Sequence, residues 1–180
     1  TGELTRYTHE NGLAGNQIQG LLQDADGNIW VGTTSGLSRI NTQFQITNIG
    51  QDGAEQVLAD QRIWSLTQSS DGAIWIGTAA GLHSWQPDKG LSPVYKLVNH
   101  KDHSAPGNFS RDNEIRAVYA LGQQLWVGSR QGLFLFNRQR LQFEQVSLAL
   151  YGEAEPLINI LSVDNSTAEL LAGSYSGLYR

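Results

Sequence analysis

Residues 29–37 read IWVGTTSGL, and the phrase returns as IWIGTAAGL at 74–82, LWVGSRQGL at 125–133 and LLAGSYSGL at 170–178. The columns are strict. Gly32, Gly77, Gly128 and Gly173 align, and four residues on so do Gly36, Gly81, Gly132 and Gly177, each followed by a leucine (Leu37, Leu82, Leu133, Leu178). The first column is spaced by 45, 51 and 45 residues. A period of about 40–50 residues built from short strands indicates an all-β propeller of four-stranded blades. Such a scaffold holds loops around an axis and does not by itself supply a reaction.

Working outward from the second copy, Ile63 to Thr67 is a short apolar strand, Ser70-Asp71-Gly72-Ala73 a turn, and Ile74 to Thr78 a second strand. Asp-Gly between apolar runs signals a tight hairpin, with φ > 0 expected at both central positions. Ala79-Ala80-Gly81 turns the chain into Leu82 to Trp85, and Pro87 to Gly90 turns it into a fourth strand, Leu91 to Leu97. The first unit repeats this: Ile18 to Leu22, the Asp26-Gly27 turn, Ile29 to Thr33, Leu37 to Ile40, and Phe44 to Ile49. The third has Ile115 to Ala120, Leu125 to Ser129 and Leu133 to Asn137, and the fourth runs from Ile158 through a third strand ending at Arg180. The expected division is a partial blade 1–15, blades 16–59, 60–110 and 111–155, and an incomplete blade 156–180. Gly2 to Tyr7 reads as the third strand of a preceding blade, so the chain is either an arc of a larger ring or a small ring closed by its N-terminal strand. We favour the arc, whose open edges would promote self-association. Trp30, Trp75 and Trp126 recur at one place in the second strand and are expected to pack between neighbouring blades. The paired glycines are expected to allow close backbone approach at one end of that strand and positive φ at the other.

Composition narrows the function. A hydrophobic share of 39% suffices for a core, and the net charge of −5 comes with Lys and Arg scattered singly, which argues against nucleic acid as a partner. No run approaches the roughly 20 apolar residues of a membrane span, and no charged-then-apolar leader opens the chain. Without cysteine there are no disulfides, thiol nucleophiles or thiolate metal sites. Without methionine the chain is expected to be a processed or excised piece.

The phrase Asp-Gly-x-Ile-Trp-Val/Ile-Gly-Thr-x-x-Gly-Leu resembles the two-component regulator propeller repeat of bacterial sensor regions. Residues 95–115, YKLVNHKDHSAPGNFSRDNEI, resemble the longer connection such repeats carry before a new blade, and account for the six extra residues of the middle spacing. The fourth copy departs: Leu171 replaces Trp, and Asp164-Asn165-Ser166 replaces Asp-Gly. The resemblance implies a periplasmic sensor propeller, commonly seven-bladed, followed by a β-sandwich, a membrane helix and a cytoplasmic histidine kinase or diguanylate cyclase. It implies ligand recognition without catalysis, no cofactor, and dimerisation through the parent receptor. Membrane contact would come only through flanking segments.

Other chemistries read weakly. His100 and His103 beside Asp102 lie in a polar connection without further ligands, and Asp24-Ala25-Asp26-Gly27-Asn28 lacks the bidentate Glu of a calcium loop. Glu153 and Glu155 with Pro156 read as a linker face, and there is no Gly-x-Ser-x-Gly elbow. The His/Glu metal site of propeller lyases similar to virginiamycin lyase is not visible. Binding residues are therefore sought on the loops leading into the innermost strands and between second and third strands. Arg62, Arg116 and Arg130 come first, because a guanidinium offers a planar fork to carboxylates or vicinal oxygens, with Asn113, Gln131 and Tyr175 beside them. The expected ligand is a small molecule or saccharide. The alternative is a stand-alone propeller acting as a protein-interaction or carbohydrate-binding module.

Overall fold

The computed structural model describes residues 4–51, 53–97, 111–148 and 154–180. They form four antiparallel sheets, each a meander in chain order. Blade one is β1 (Ile18–Gln23), β2 (Ile29–Thr33), β3 (Gly36–Ile40) and β4 (Ile46–Ile49). Blade two is β5 (Ile63–Gln68), β6 (Ile74–Thr78), β7 (Gly81–Gln86) and β8 (Gly90–Leu91). Blade three is β9 (Ile115–Leu121), β10 (Gln124–Ser129), β11 (Gly132–Asn137) and β12 (Gln142–Val146), and blade four β13 (Ile158–Asp164), β14 (Glu169–Ser174) and β15 (Leu178–Tyr179). The protein is an all-β propeller, and its only described helix is two single 3-10 turns, His9–Asn11 and Arg111–Asn113.

The glycine phrase explains how blades stack. Each innermost strand packs on the first two strands of the blade before it: β5 on β1 and β2, β9 on β5 and β6, β13 on β9 and β10. Its first isoleucine is the key. Ile63, Ile115 and Ile158 are fully buried, and each rests on the first-column glycine of the preceding blade. A Cβ on Gly32, Gly77 or Gly128 would lie 2.7, 2.9 or 2.6 Å from the isoleucine Cγ2. Only glycine leaves that room. The tryptophan column works beside it: Trp30 packs with Ile74 and Ile76, Trp75 with Ile115 and Val127, and Trp126 against Ile158 and Leu161. At the second column, Gly36, Gly81, Gly132 and Gly177 have φ of 118–153°, the left-handed turn into the third strand.

Three expectations need adjustment. In the Asp-Gly turns only the glycines, Gly27 and Gly72, take positive φ (83° each). The loop is wider than a two-residue hairpin, with Asp24 N–H bonded to Asn28 O and Gly27 N–H to Asp24 O. The fourth strand of blade two stops at Leu91. Ser92 N–H still donates to Ser84 O (2.7 Å), but Pro93 has no N–H to offer a ladder, and the chain meets β7 again where Tyr95 and Leu82 exchange backbone hydrogen bonds. Residues 4–8 form no strand. Tyr7 and Leu13 pack on Val31 and Ile40 of blade one, so this segment is an approach to blade one and does not complete blade four. Among the described residues no comparable packing joins β13 to β1, and the arrangement is an open arc.

Buried His83 holds the approach to blade two: its Nδ1 donates to Ser92 O (2.9 Å), and its Nε2 accepts from Ala59 N–H (3.2 Å). Burial pushes its pKa down, outweighing the Ser92 contact that favours the cation. The folded-state value is therefore depressed, so the stability it contributes is present above about pH 6.5 and declines as pH falls. The wild type is expected to lose melting temperature between about pH 7 and 5.5, and His83→Gln to lose less over the same window, by calorimetry.

Candidate functional site

The innermost strands share a second repeated feature. Ile18 pairs with Thr33 and Gly20 with Gly32, leaving Gln19 unpaired. The same one-residue shift leaves Trp64 in β5, Arg116 in β9 and Asn159 in β13. A bulge re-aims its extra side chain out of the ladder. Four bulges at one level therefore set Gln19, Trp64, Arg116 and Asn159 in a row, one per blade.

The middle of this row is the most elaborated. The Arg116 guanidinium stacks 4.5 Å over Trp64, and its Nη2 donates to Glu114 Oε1 at 2.9 Å. Glu114 is buried at 5% exposure. Among the described residues three buried polar atoms here have no hydrogen-bond partner: Trp64 Nε1, Arg116 Nε and Glu114 Oε2. Next to them Arg62 clasps Asp60 through Nε (2.9 Å) and Nη2 (2.7 Å). The Arg62 hydrogen bond holds the Asp60 carboxyl below its ordinary value against the opposing pull of burial. Glu114 also acts electrostatically on Arg62, so the two ion pairs form one alternating cluster. Asn113 ends the 3-10 turn that leads into it.

All six residues proposed from sequence lie at this end of the arc, because the loops between second and third strands touch the segments leading into the first: Thr34 N–H bonds Gln17 O, and Ala79 N–H bonds Arg62 O. The structure brings together Arg62 and Arg116. Arg130 and Gln131 stand on the β10–β11 loop, where Ser129 Oγ accepts from Gln131 N–H (3.0 Å), and Tyr175 is exposed on the β14–β15 loop. Of the guanidinium forks expected to receive a ligand carboxylate, that of Arg62 is filled by Asp60, and Arg116 gives its Nη2 to Glu114. Trp64, Gln19 and Asn159 were not foreseen. A signal for part of it was present: Asp60-x-Arg62 and Glu114-x-Arg116 both place a carboxylate two residues before the arginine.

A cleft of about 640 Å³ opens between blades two and three at the opposite end. Trp75 and Tyr95 line it, with Arg138 from the β11–β12 turn and Lys89 from the β7–β8 turn. The polar groups around Trp75 pair with one another. Arg138 pairs with Asp71 and lies 5.7 Å over Trp75, and Trp75 Nε1 donates to Ser69 Oγ. Burial pushes the Asp71 carboxyl up, but the Ser69 hydroxyl and the Arg138 charge hold it below its ordinary value. The Asp24 carboxylate is filled in the same way by Trp30, Asn28 and Asp26 donors. Glu155 accepts from Ser147 Oγ and Leu148 N–H. Among the described residues no three His, Asp or Glu side chains converge to hold a metal; His100, Asp102, His103 and Glu153 lie outside them. No described helix is long and apolar enough to cross a membrane.

Two segments, residues 12–35 and 57–80, match the family model of the two component regulator propeller. These two segments are two-component regulator propeller repeats. Both matches run from the approach segment through β1–β2 or β5–β6, so they include the bulge and the first glycine of each repeat. Among solved structures, the chain is similar to one described as the extracellular domain of a hybrid two component system from B. thetaiotaomicron (24% identity, TM-score 0.70, covering 91% of this chain and 20% of that one). A second such domain from the same organism gives 18% identity and a TM-score of 0.71 over 97% of this chain and 23% of the other. Virginiamycin B lyase from Staphylococcus aureus gives 15% identity and a TM-score of 0.66 over 91% and 54%. At these identities the likeness is one of fold. The repeat chain spans about a fifth of the length of the first of these structures. No curated protein sequence matches it.

Proposed function

We propose that this chain is a ligand-recognising, non-catalytic part of the extracytoplasmic, periplasmic region of a bacterial signalling receptor. Occupancy would bias a kinase or cyclase output encoded outside these residues. The propeller repeats and the fold shared with extracellular domains of hybrid two-component systems support the setting. The observation that carries recognition is the bulge row, where an aromatic ring and three partnerless buried polar atoms meet at the inner edge of blades two and three. Native structures rarely leave such atoms unpaired.

The ligand class follows from charge. Asp60–Arg62 and Glu114–Arg116 neutralise each other, so a carboxylate would have to displace an internal one. These atoms are covered by the Arg116–Trp64 stack, and a neutral ligand rich in hydroxyls that parts the stack would accept from Trp64 Nε1 and Arg116 Nε and donate to Glu114 Oε2, which is the chemistry of a neutral saccharide. Titration calorimetry against neutral and uronic oligosaccharides tests this. A neutral sugar should bind, and Trp64→Ala should weaken it by roughly tenfold or more, while Arg130→Ala changes it little. Preference for uronic sugars, or equal binding by Trp64→Ala, overturns the ligand class and the site. Breakdown of the bound sugar overturns the non-catalytic reading.

A further inference from the structure

The contacts of blade one on blade two and of blade two on blade three are built alike and filled differently. Arg39 stands opposite Trp30 in the β2–β3 ladder, and its guanidinium lies over Trp30 (5.9 Å) and over Trp85 of the next blade (5.5 Å). The residue opposite Trp75 in the β6–β7 ladder is Ser84. A serine is too short to reach the next blade, and the cleft of about 640 Å³ opens beside it. The detour at Pro93 shapes the floor. Tyr95 packs on Trp75 and Phe136 (6.3 and 5.1 Å between ring centres), stays partly exposed, and lines the cleft with Leu91, Pro93 and Leu141.

The charged groups of this cleft are unbalanced. Its lining holds two cations, Lys89 and Arg138, and one carboxylate, Asp71. The carboxylate is engaged, because it accepts from Ser69 Oγ and from Arg138 Nη2. Arg138 keeps Nε and Nη1 without a partner among the described residues. The Lys89 ammonium, on an exposed turn, has none among them either. On a chain of net charge −5, spare positive charge beside an apolar floor suits an anion with an apolar body.

We propose that this cleft is a second recognition site and takes an aromatic carboxylate. The ring lies on Tyr95 between Pro93 and Leu141, and the carboxylate accepts from Lys89 Nζ and the free nitrogens of Arg138. A ring carrying hydroxyls would press polar groups on Leu91, Pro93 and Leu141 without partners for them. The site differs from the bulge row in place and in chemistry. That row lies at the other end of the blades, and its arginines are met by internal carboxylates.

Phenylacetate is the probe, titrated into the full chain and followed by NMR. It should bind with a Kd of about 1–10 mM, in keeping with its small size. Phenylacetamide lacks the charge, acetate lacks the ring and glucuronate carries hydroxyls, so each should bind at least about fivefold more weakly. Lys89→Glu should weaken phenylacetate by roughly tenfold, and Lys89→Arg should restore it. Leu141→Gly should weaken it by about threefold with an unchanged far-UV spectrum, because Leu141 has a φ of 55° that glycine adopts freely. Trp64→Ala should leave it unchanged, which separates this site from the bulge row. No binding up to about 50 mM, equal binding of any of the three analogues, indifference to Lys89→Glu, or loss in Trp64→Ala overturns the proposal.

Discussion

Gly128→Val is expected to destabilise the chain by at least about 3 kcal/mol, enough to unfold much of it at room temperature. The valine Cβ would stand 2.6 Å from Ile158 Cγ2, 3.0 Å from Ile158 Cβ and 3.1 Å from the Ile158 carbonyl oxygen. Neither side can yield. Ile158 is fully buried between β10 and β13, and the carbonyl belongs to the backbone of the neighbouring blade. The same change at Gly173 makes a useful contrast, because the only close side chain there is Ile160, 63% exposed and able to move. In urea titrations followed by tryptophan fluorescence in dilute solution, Gly173→Val should cost about 1 kcal/mol or less. Ile158→Ala should also cost less in a Gly128→Ala background than in the wild type, because the smaller residue relieves the clash. Equal tolerance at Gly128 and Gly173 would mean that the glycine column does not seat the next blade.

The contrast between these glycines explains what could be read from sequence and what could not. The blades were legible because each requirement is local: a glycine under an isoleucine, a tryptophan beside it, and a glycine at positive φ before the third strand recur at fixed offsets. The bulge row was not, because Gln19, Trp64, Arg116 and Asn159 share no chemistry and a register shift lies in the pairing of two strands. Arg116 was found for the fork of its guanidinium, yet its Nη2 is already taken by Glu114, and the whole fork of Arg62 by Asp60. On an extended backbone residues two apart point the same way, so the Asp-x-Arg and Glu-x-Arg spacings held that information. The cleft at the far end was hidden for a third reason. It depends on the detour of the chain at Pro93 and the return of Tyr95 to β7, where alternation alone predicts a continuous strand.

Asp24→Ala is expected to cost roughly 3 kcal/mol at neutral pH, and to remove an acid sensitivity that the wild type shows. The Asp24 carboxylate, 8% exposed, accepts from Trp30 Nε1 (2.8 Å), from the Asn28 side chain (2.8 and 3.0 Å) and from the backbone N–H of Asn28 (2.8 Å) and Asp26 (3.1 Å). Alanine would leave the indole N–H of a fully buried tryptophan unpaired and free the turn between β1 and β2. Burial pushes the carboxyl up, but the donors from Trp30, Asn28 and Asp26 outweigh it and hold the folded-state value below the ordinary one. A depressed carboxylate contributes stability that is present above about pH 4 and is lost as pH falls through the folded value. Between pH 4 and 2 the wild type should therefore lose more stability than Asp24→Ala. Blade two relays the same indole bond through a hydroxyl: Trp75 Nε1 donates to Ser69 Oγ, which in turn donates to the Asp71 carboxylate. Ser69→Ala should destabilise at neutral pH and also flatten part of the acid slope, because it removes a hydrogen bond that holds Asp71 below its ordinary value. Trp30→Phe should cost less in the Asp24→Ala background than in the wild type, since the same hydrogen bond cannot be lost twice. An acid slope shared equally by wild type and Asp24→Ala would place the sensitivity elsewhere and leave the Asp24–Trp30 pair a packing contact alone.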